Sequence, residues 1–361
     1  MELRKAEGVV DVFKTVMLVY IGGPITVVGI ITSILSLLMF KRDTATSAST
    51  RLLLSAIAVV DILFLACCFI FWTIRGIFGE SPAFAAFMDS PFVYGFLFYV
   101  CNVFEMVRNW LIVVLAVERL LFFMKPLEFK SIWCLSRVRG IIIAVILLSL
   151  LVRLPVLLFG IAKHDSHLDQ GVTRTTRLIH ALTDCLVLTT LPVTVMIVLS
   201  TLTTARVRAM IEMKRQVRKP SETPKEEKKE APTAATAASG CPSSGDKPNA
   251  QQKHHRIIKI LHTVLITFII FCSPAVLTTS VHAYVAFHNI TSGPVELASK
   301  ILSPISNAGS LLNSTSNFFV YIIQSRRYQR IIVEMLALDR CGFKKLLKVT
   351  NKLSGSTNAS D

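Results

Sequence analysis

Seven long apolar stretches divide the chain, over Met17 to Phe40, Leu52 to Ile74, Phe92 to Met124, Val138 to Ile161, Leu178 to Val207, Ile257 to Phe287 and Leu297 to Ile323. Each approaches or exceeds the about 20 residues that an α-helix needs to cross about 30 Å of hydrocarbon. In lipid every backbone N–H and C=O needs a partner inside the protein, so such stretches fold as helices and pack together. Composition agrees. A mean hydropathy of +0.58, with 52% apolar and only 17% charged residues, leaves too little charge for a water-soluble globule, which uses about 25%. The expected fold class is an all-α membrane protein, a seven-transmembrane helix bundle over residues 17–323 with a short amphipathic eighth helix at 325–338.

A net charge of +16 would point to nucleic acid if it covered one face. It does not. Lys41, Arg42 and Arg51 follow the first span; Lys125, Lys130, Arg137 and Arg139 follow the third; a dense basic set from Arg206 to Lys259 separates the fifth and sixth; Arg326, Arg327 and Arg330 follow the seventh. The loops between these carry few Lys or Arg, which is the positive-inside pattern, so no nucleic-acid partner is expected. That pattern puts the amino terminus outside the plasma membrane and the carboxyl terminus inside. Residues 1–16 form a short extracellular segment, too small for a domain. They lack the signature of a cleaved signal peptide, so the first span is expected to act as its own insertion signal.

Residues 210–252 include a Lys/Glu/Pro-rich run and an Ala/Thr/Ser run that cannot bury a core, and read as a disordered cytoplasmic loop. Its flanks are expected to extend the fifth and sixth helices. After the seventh span, Tyr328, Ile331, Ile332, Met335 and Leu336 recur at helical spacing among Arg326, Arg327 and Arg330, as in a helix lying on anionic membrane lipid. Residues 339–361 form a cytoplasmic tail, in which Cys341 is a palmitoylation site or a free thiol. Asn289 begins an Asn-Ile-Thr acceptor for glycosylation between the sixth and seventh spans. None of the eight cysteines falls in an external loop, so no external disulfide is expected.

Ionisable residues inside a span are expensive and mark function. Asp61, Glu105, Arg108, Arg153 and Asp184 all lie within spans. Cys101, Glu105, Arg108 and Ile112 share one helix face, so Glu105 and Arg108 can pair along their own helix. Polar residues also crowd the seventh span, from Ser303 to Asn317. That face either binds neighbouring helices or lines a hydrated cavity.

These features, taken in order, resemble the rhodopsin-like (class A) G-protein-coupled receptors. Ala58-Val59-Val60-Asp61 is similar to the family's LAxxD, and Glu118-Arg119-Leu120 to its D/E-R-Y triplet, with Pro126-Leu127 following. Pro155 and Pro192 match helix prolines, Phe271-Cys272-Ser273-Pro274 resembles CWxP, and Asn317-Phe318-Phe319-Val320-Tyr321 resembles NPxxY. The wording of the last motif is most similar to invertebrate FMRFamide-type neuropeptide receptors. Cys101 and Leu311 stand at the amine-anchor and retinal-lysine positions, which disfavours amines and retinal. Departures include Ser33, Ile146, Cys272 and Ser200 at positions usually held by Asn, Trp, Trp and Tyr. Tyr94 replaces the third-helix disulfide cysteine.

The resemblance implies a receptor that activates a heterotrimeric G protein when its sixth helix swings outward about Pro274. Glu118 would hold Arg119 at rest, and Phe268, Asn317 and Tyr321 would take part in the switch. It also implies a sodium ion beside Asp61, with a serine where this chain has Arg108; the guanidinium is expected to pair with Asp61 in its place. The ligand expected is a short amidated peptide with a basic residue, drawn to Glu105 and Asp184 and bounded by Cys101, Asn102, Thr279, His282 and Asn307. Alternatives are an uncoupled receptor-like scaffold or decoy, and a transporter or channel; no internal repeat favours the latter. No zinc-ligand spacing, nucleophile elbow or phosphate loop points to an enzyme, and no cofactor or metal is expected.

Overall fold

The computed structural model describes residues 2–44, 46–125, 127–158, 170–218, 250–288 and 293–335. Asn289, Cys341, the tail 339–361 and residues 219–249 of the expected loop lie outside the described residues. Six helices among those described are long and apolar enough to cross a membrane: α1 (Gly8–Arg42), α2 (Ala48–Phe78), α3 (Pro91–Met124), α4 (Leu135–Leu158), α5 (Arg174–Met210) and Ile266–His288, the apolar part of α6 (Ala250–His288). The seventh, α7 (Pro294–Gln324), is 31 residues long but carries the polar face foreseen above. The short α8 (Arg326–Met335) follows. We call the end holding residues 43–47 and 125–134 the foot, and the opposite end the head.

The amino-terminal segment is helical. Residues from Glu2 are already helical and run without a break into α1. The helix of α5 continues to Arg218, and α6 starts at Ala250, as expected for the flanks of the 210–252 segment.

The central rod is α3. It contributes to three of the four apolar clusters, through Val103, Val107 and Leu111, through Cys101, and through Ile112, Val113 and Ala116. By contrast α4 lies at the edge, with Ile143, Leu147 and Leu151 exposed at i, i+4 and i+8, a stripe suited to lipid. Helix starts follow local chemistry. Ser47 caps α2 by accepting from the Thr50 N–H at 3.2 Å, and Pro91 and Pro294 open α3 and α7, where a missing N–H has no intrahelical acceptor to lose. Gly293, at φ 110°, supplies the left-handed residue that turns the chain into α7.

Prolines inside spans leave carbonyls four residues earlier without their helical donor, and side chains fill the gap. For Pro192 the orphan is Leu188 O, which accepts from Asn109 Nδ2 of α3 at 3.2 Å. For Pro274 it is Ile270 O, which accepts from Ser273 Oγ at 3.1 Å. Just ahead of Pro192, Asp184–Thr190 forms a π-helical segment, in which the Thr189 hydroxyl donates back to Asp184 O at 2.9 Å.

Candidate functional site

At the foot, Glu118 is buried and Thr50 Oγ1 of α2 donates to its Oε1. The sequence reading had Glu118 holding Arg119. Glu118 sits on the α2-facing side of α3 and takes the Thr50 hydroxyl; Arg119 lies within its electrostatic reach but makes no hydrogen bond or close ion pair with it. Leu127, in the loop that follows, is 96% exposed.

A second foot contact was not legible in the sequence. Asp43, 1% exposed, pairs with Arg327 of α8, accepts from Thr46 Oγ1 at 2.6 Å, and its backbone carbonyl accepts from Arg51. This ties the first loop, α2 and α8 together. Beside it, the rings of Tyr321 and Tyr328 pack edge-on against Phe40 at 5.6 and 6.0 Å, and burial holds the Tyr328 hydroxyl above its usual pKa.

At mid-depth the expected Asp61–Arg108 pair is not made. The fully buried guanidinium points to α7 instead. Its Nη1 donates to Ser310 O at 3.0 Å and to Ser314 Oγ, its Nε and Nη2 donate to Asn109 Oδ1, and Nη2 lies 3.9 Å from Glu105 Oε1. The Phe64 ring covers it, with its centroid 4.7 Å away. Asp61 Oδ2 accepts from Asn317 Nδ2 at 2.9 Å, so Arg108 acts on Asp61 through space rather than by contact. The residues do not fit a sodium ion: Ser314 and Ser310 O are taken by a fixed cation, and a second positive charge would be repelled.

Phe268 is buried among Ile112, Val113, Ala116, Met196 and Cys272. A cavity of about 10 Å³, lined in part by Phe268, Thr267, Asn313, Ser316 and Asn317, lies where α3, α6 and α7 meet; it has room for about one water. Across the α6–α7 seam, Asn313 Nδ2 donates to Cys272 Sγ at 3.7 Å. The carbonyls of Pro274 and Leu302 both accept from Thr278 Oγ1, at 2.7 and 3.2 Å.

Toward the head, the expected ligand residues divide. Glu105 accepts from Ser310 Oγ at 2.6 Å and keeps 21% of its side chain exposed. Asp184 does not stand open as an anchor, because Arg153 of α4 pairs with its Oδ1 and His180 Nδ1 lies 3.4 Å from its Oδ2. Sequence reading named both Arg153 and Asp184 but could not join them across two helices. His282 lies within electrostatic reach of Asp184 and His180. Thr279 meets Thr189 at 3.1 Å, linking α5 and α6. Asn102 donates to Phe98 O of its own helix at 2.8 Å. Cys101 is packed with Phe64, Leu65, Cys68, Phe71 and Leu311, one turn from Glu105 and within its electrostatic reach, while Asn307 is partly buried on α7.

The described cysteines are all free thiols. Where the family disulfide would lie, Arg75 pairs with Asp89 and sits 5.3 Å from the Tyr94 ring, which packs on Phe71 and Phe98.

Seven helices around a tilted polar core, with a buried cation at mid-depth and an arginine at the foot, define a helical-bundle membrane receptor. Residues 32–321 match the family model described as 7 transmembrane receptor (rhodopsin family), and the chain belongs to that family. Its members are signalling receptors rather than enzymes. No curated protein matches the chain.

Proposed function

We propose that the chain is a plasma-membrane receptor, amino terminus outside, that couples an extracellular ligand to a heterotrimeric G protein by outward movement of α6. The observation that carries this reading is Arg119. It lies half-buried at the foot and makes no hydrogen bond or close ion pair among the described residues, its neighbouring carboxylate accepting from Thr50, and in the loop that follows Leu127 presents an apolar side chain to solvent. An arginine available at this end is of the residue type that anchors protein interfaces. Pro274 supports the movement, since a helix lacking one backbone bond bends there at low cost.

The ligand we propose is a short peptide of the FMRFamide-type class. Glu105 is the acid that remains partly exposed toward the head and can meet a basic residue. Asp184 is already neutralised by Arg153, so it shapes the site without anchoring a cation. The test is nucleotide exchange on a reporter G protein in membranes carrying the full chain, screened with short peptides. Exchange above background that disappears in Arg119→Ala is expected. Peptide binding with no exchange, unchanged by Arg119→Ala, would instead fit an uncoupled scaffold.

A further inference from the structure

Among the described residues the Arg153 side chain makes one ion pair and no more. Its Nη1 donates to Asp184, yet Nε and Nη2, though buried, have no hydrogen-bond partner. These two donors form one edge of the guanidinium plane, the edge whose parallel N–H groups match the two oxygens of a carboxylate. Leaving them unpaired in a low-dielectric bundle is unfavourable, so the site has a standing demand for an acceptor.

The surroundings fit a ligand site better than a packing fault. Both helices that hold the pair are irregular at this depth. Pro155 interrupts α4, where Arg153 closes the first segment and its carbonyl accepts from Val156 N at 2.9 Å. In α5, Asp184 begins the π-helical segment. Broken backbone inside a membrane bundle is tolerated chiefly where it serves a site. The edge of His180 meets the Phe98 ring at 5.5 Å, and His282 completes a set of imidazoles around the acid. One cation is half engaged, by a single carboxylate. With Arg177 within electrostatic reach of His282, two arginines face one carboxylate here, so a monoanion balances the remaining charge where a phosphate dianion would exceed it.

We infer that Arg153 is a ligand-binding residue whose Nε–Nη2 edge takes a carboxylate of the ligand. This rests on the receptor reading above and sharpens it: the peptide carries an acid for Arg153 as well as a base for Glu105. The acid is an acidic side chain, since a peptide of the amidated class has no free carboxyl terminus.

The full chain in lipid nanodiscs would be assayed for binding through its thermal stabilisation. Four probes separate the outcomes: 3-phenylpropionate, its amide, and an arginine-containing tripeptide as the free acid and as the amide. A fifth, an amidated tripeptide bearing an aspartate, distinguishes a side-chain acid from a terminal one. Acids are expected to bind roughly tenfold or more tighter than their amides, as for a hydrogen bond to a charged group. Arg153→Lys keeps the charge but removes the fork, and is expected to erase that preference. Should Arg153→Lys fail to fold, Asp184→Asn gives an independent reading, because removing the competing carboxylate makes acid probes bind more tightly. Equal binding of acids and amides, no binding of either, or an acid preference that survives Arg153→Lys overturns the inference. Nucleotide exchange plays no part in this assay. A chain that binds carboxylates but never activates a G protein would sink the coupling reading and leave this one standing.

Discussion

Arg108 shows how one side chain can set the polarity of a membrane core. A guanidinium with no solvent exposure survives there because its donors find Asn109, Ser310 O and Ser314 Oγ, with Glu105 nearby and an aromatic face above. Truncation to Arg108→Ala strands those acceptors together, and a loss of about 3 kcal/mol is expected, at the lower end for breaking a buried pair because Glu105 keeps some solvent. Thermal unfolding in detergent would measure it. The same variant carries a second expectation. Ligand affinity in the unmodified chain should not change when sodium replaces another monovalent cation at constant ionic strength, whereas Arg108→Ser should acquire sodium dependence beside Asp61. Part of this centre is legible in sequence, since Glu105 and Arg108 stand three apart on one helix face. The partners on α7 are not, because a long flexible side chain chooses among acceptors on other helices by tertiary placement. For the same reason Arg153 and Asp184 were each visible as buried charges, while their pairing was not.

Helices in this bundle are coupled where their own hydrogen bonding fails. Pro192 frees Leu188 O, and α3 answers with Asn109, whose Oδ1 also accepts from Arg108. Pro274 frees Ile270 O, and Ser273 answers within α6, so this break stays internal and leaves α6 free to bend. The α6–α7 contact above it is tight: a Cβ at Gly309 would lie 2.6 Å from Phe271 O, closer than backbones permit. Gly309→Ala must therefore push α6 away from α7, at a cost of about 1 to 3 kcal/mol. Because separation of these helices is the proposed activating movement, the variant is also expected to raise ligand-independent nucleotide exchange. A stable variant with unchanged basal exchange would show that this seam does not move on activation. Span lengths and Pro274 could be read from the sequence; the role of Gly309 could not, since the approach of two backbones leaves no periodic signal. The first helix also begins ahead of its apolar stretch, since Glu2 to Thr15, too polar to read as membrane span, is helical as a continuation of α1.

At the scale of the whole molecule, the two ends of the bundle are held by different chemistry. The head relies on the Arg75–Asp89 pair and the Tyr94, Phe71 and Phe98 rings, and the foot on Asp43–Arg327 with the Phe40, Tyr321 and Tyr328 rings. An external disulfide typically contributes about 2 to 4 kcal/mol; here millimolar thiol reductant should leave both the melting temperature and the ligand response unchanged, while Arg75→Ala should lower stability by about 1 kcal/mol, as for a half-exposed pair with a cation–π contact. The same distribution of charge supports the proposed orientation. Of the head cations, Arg75, Arg153 and Lys300 each lie beside an acid, Asp89, Asp184 and Glu296, and so contribute little net attraction to an anionic leaflet. At the foot, Lys41 and Arg42 are exposed in the last turn of α1 and Arg330 is exposed on α8, leaving an excess of unneutralised positive charge that suits the negative cytoplasmic lipid surface. An epitope placed before Glu2 should therefore be reached by antibody on intact cells, and one placed after Asp361 only after permeabilisation. Finding both on one side would require an even number of crossings, which would remove α7 as a span and with it the receptor reading of Arg119.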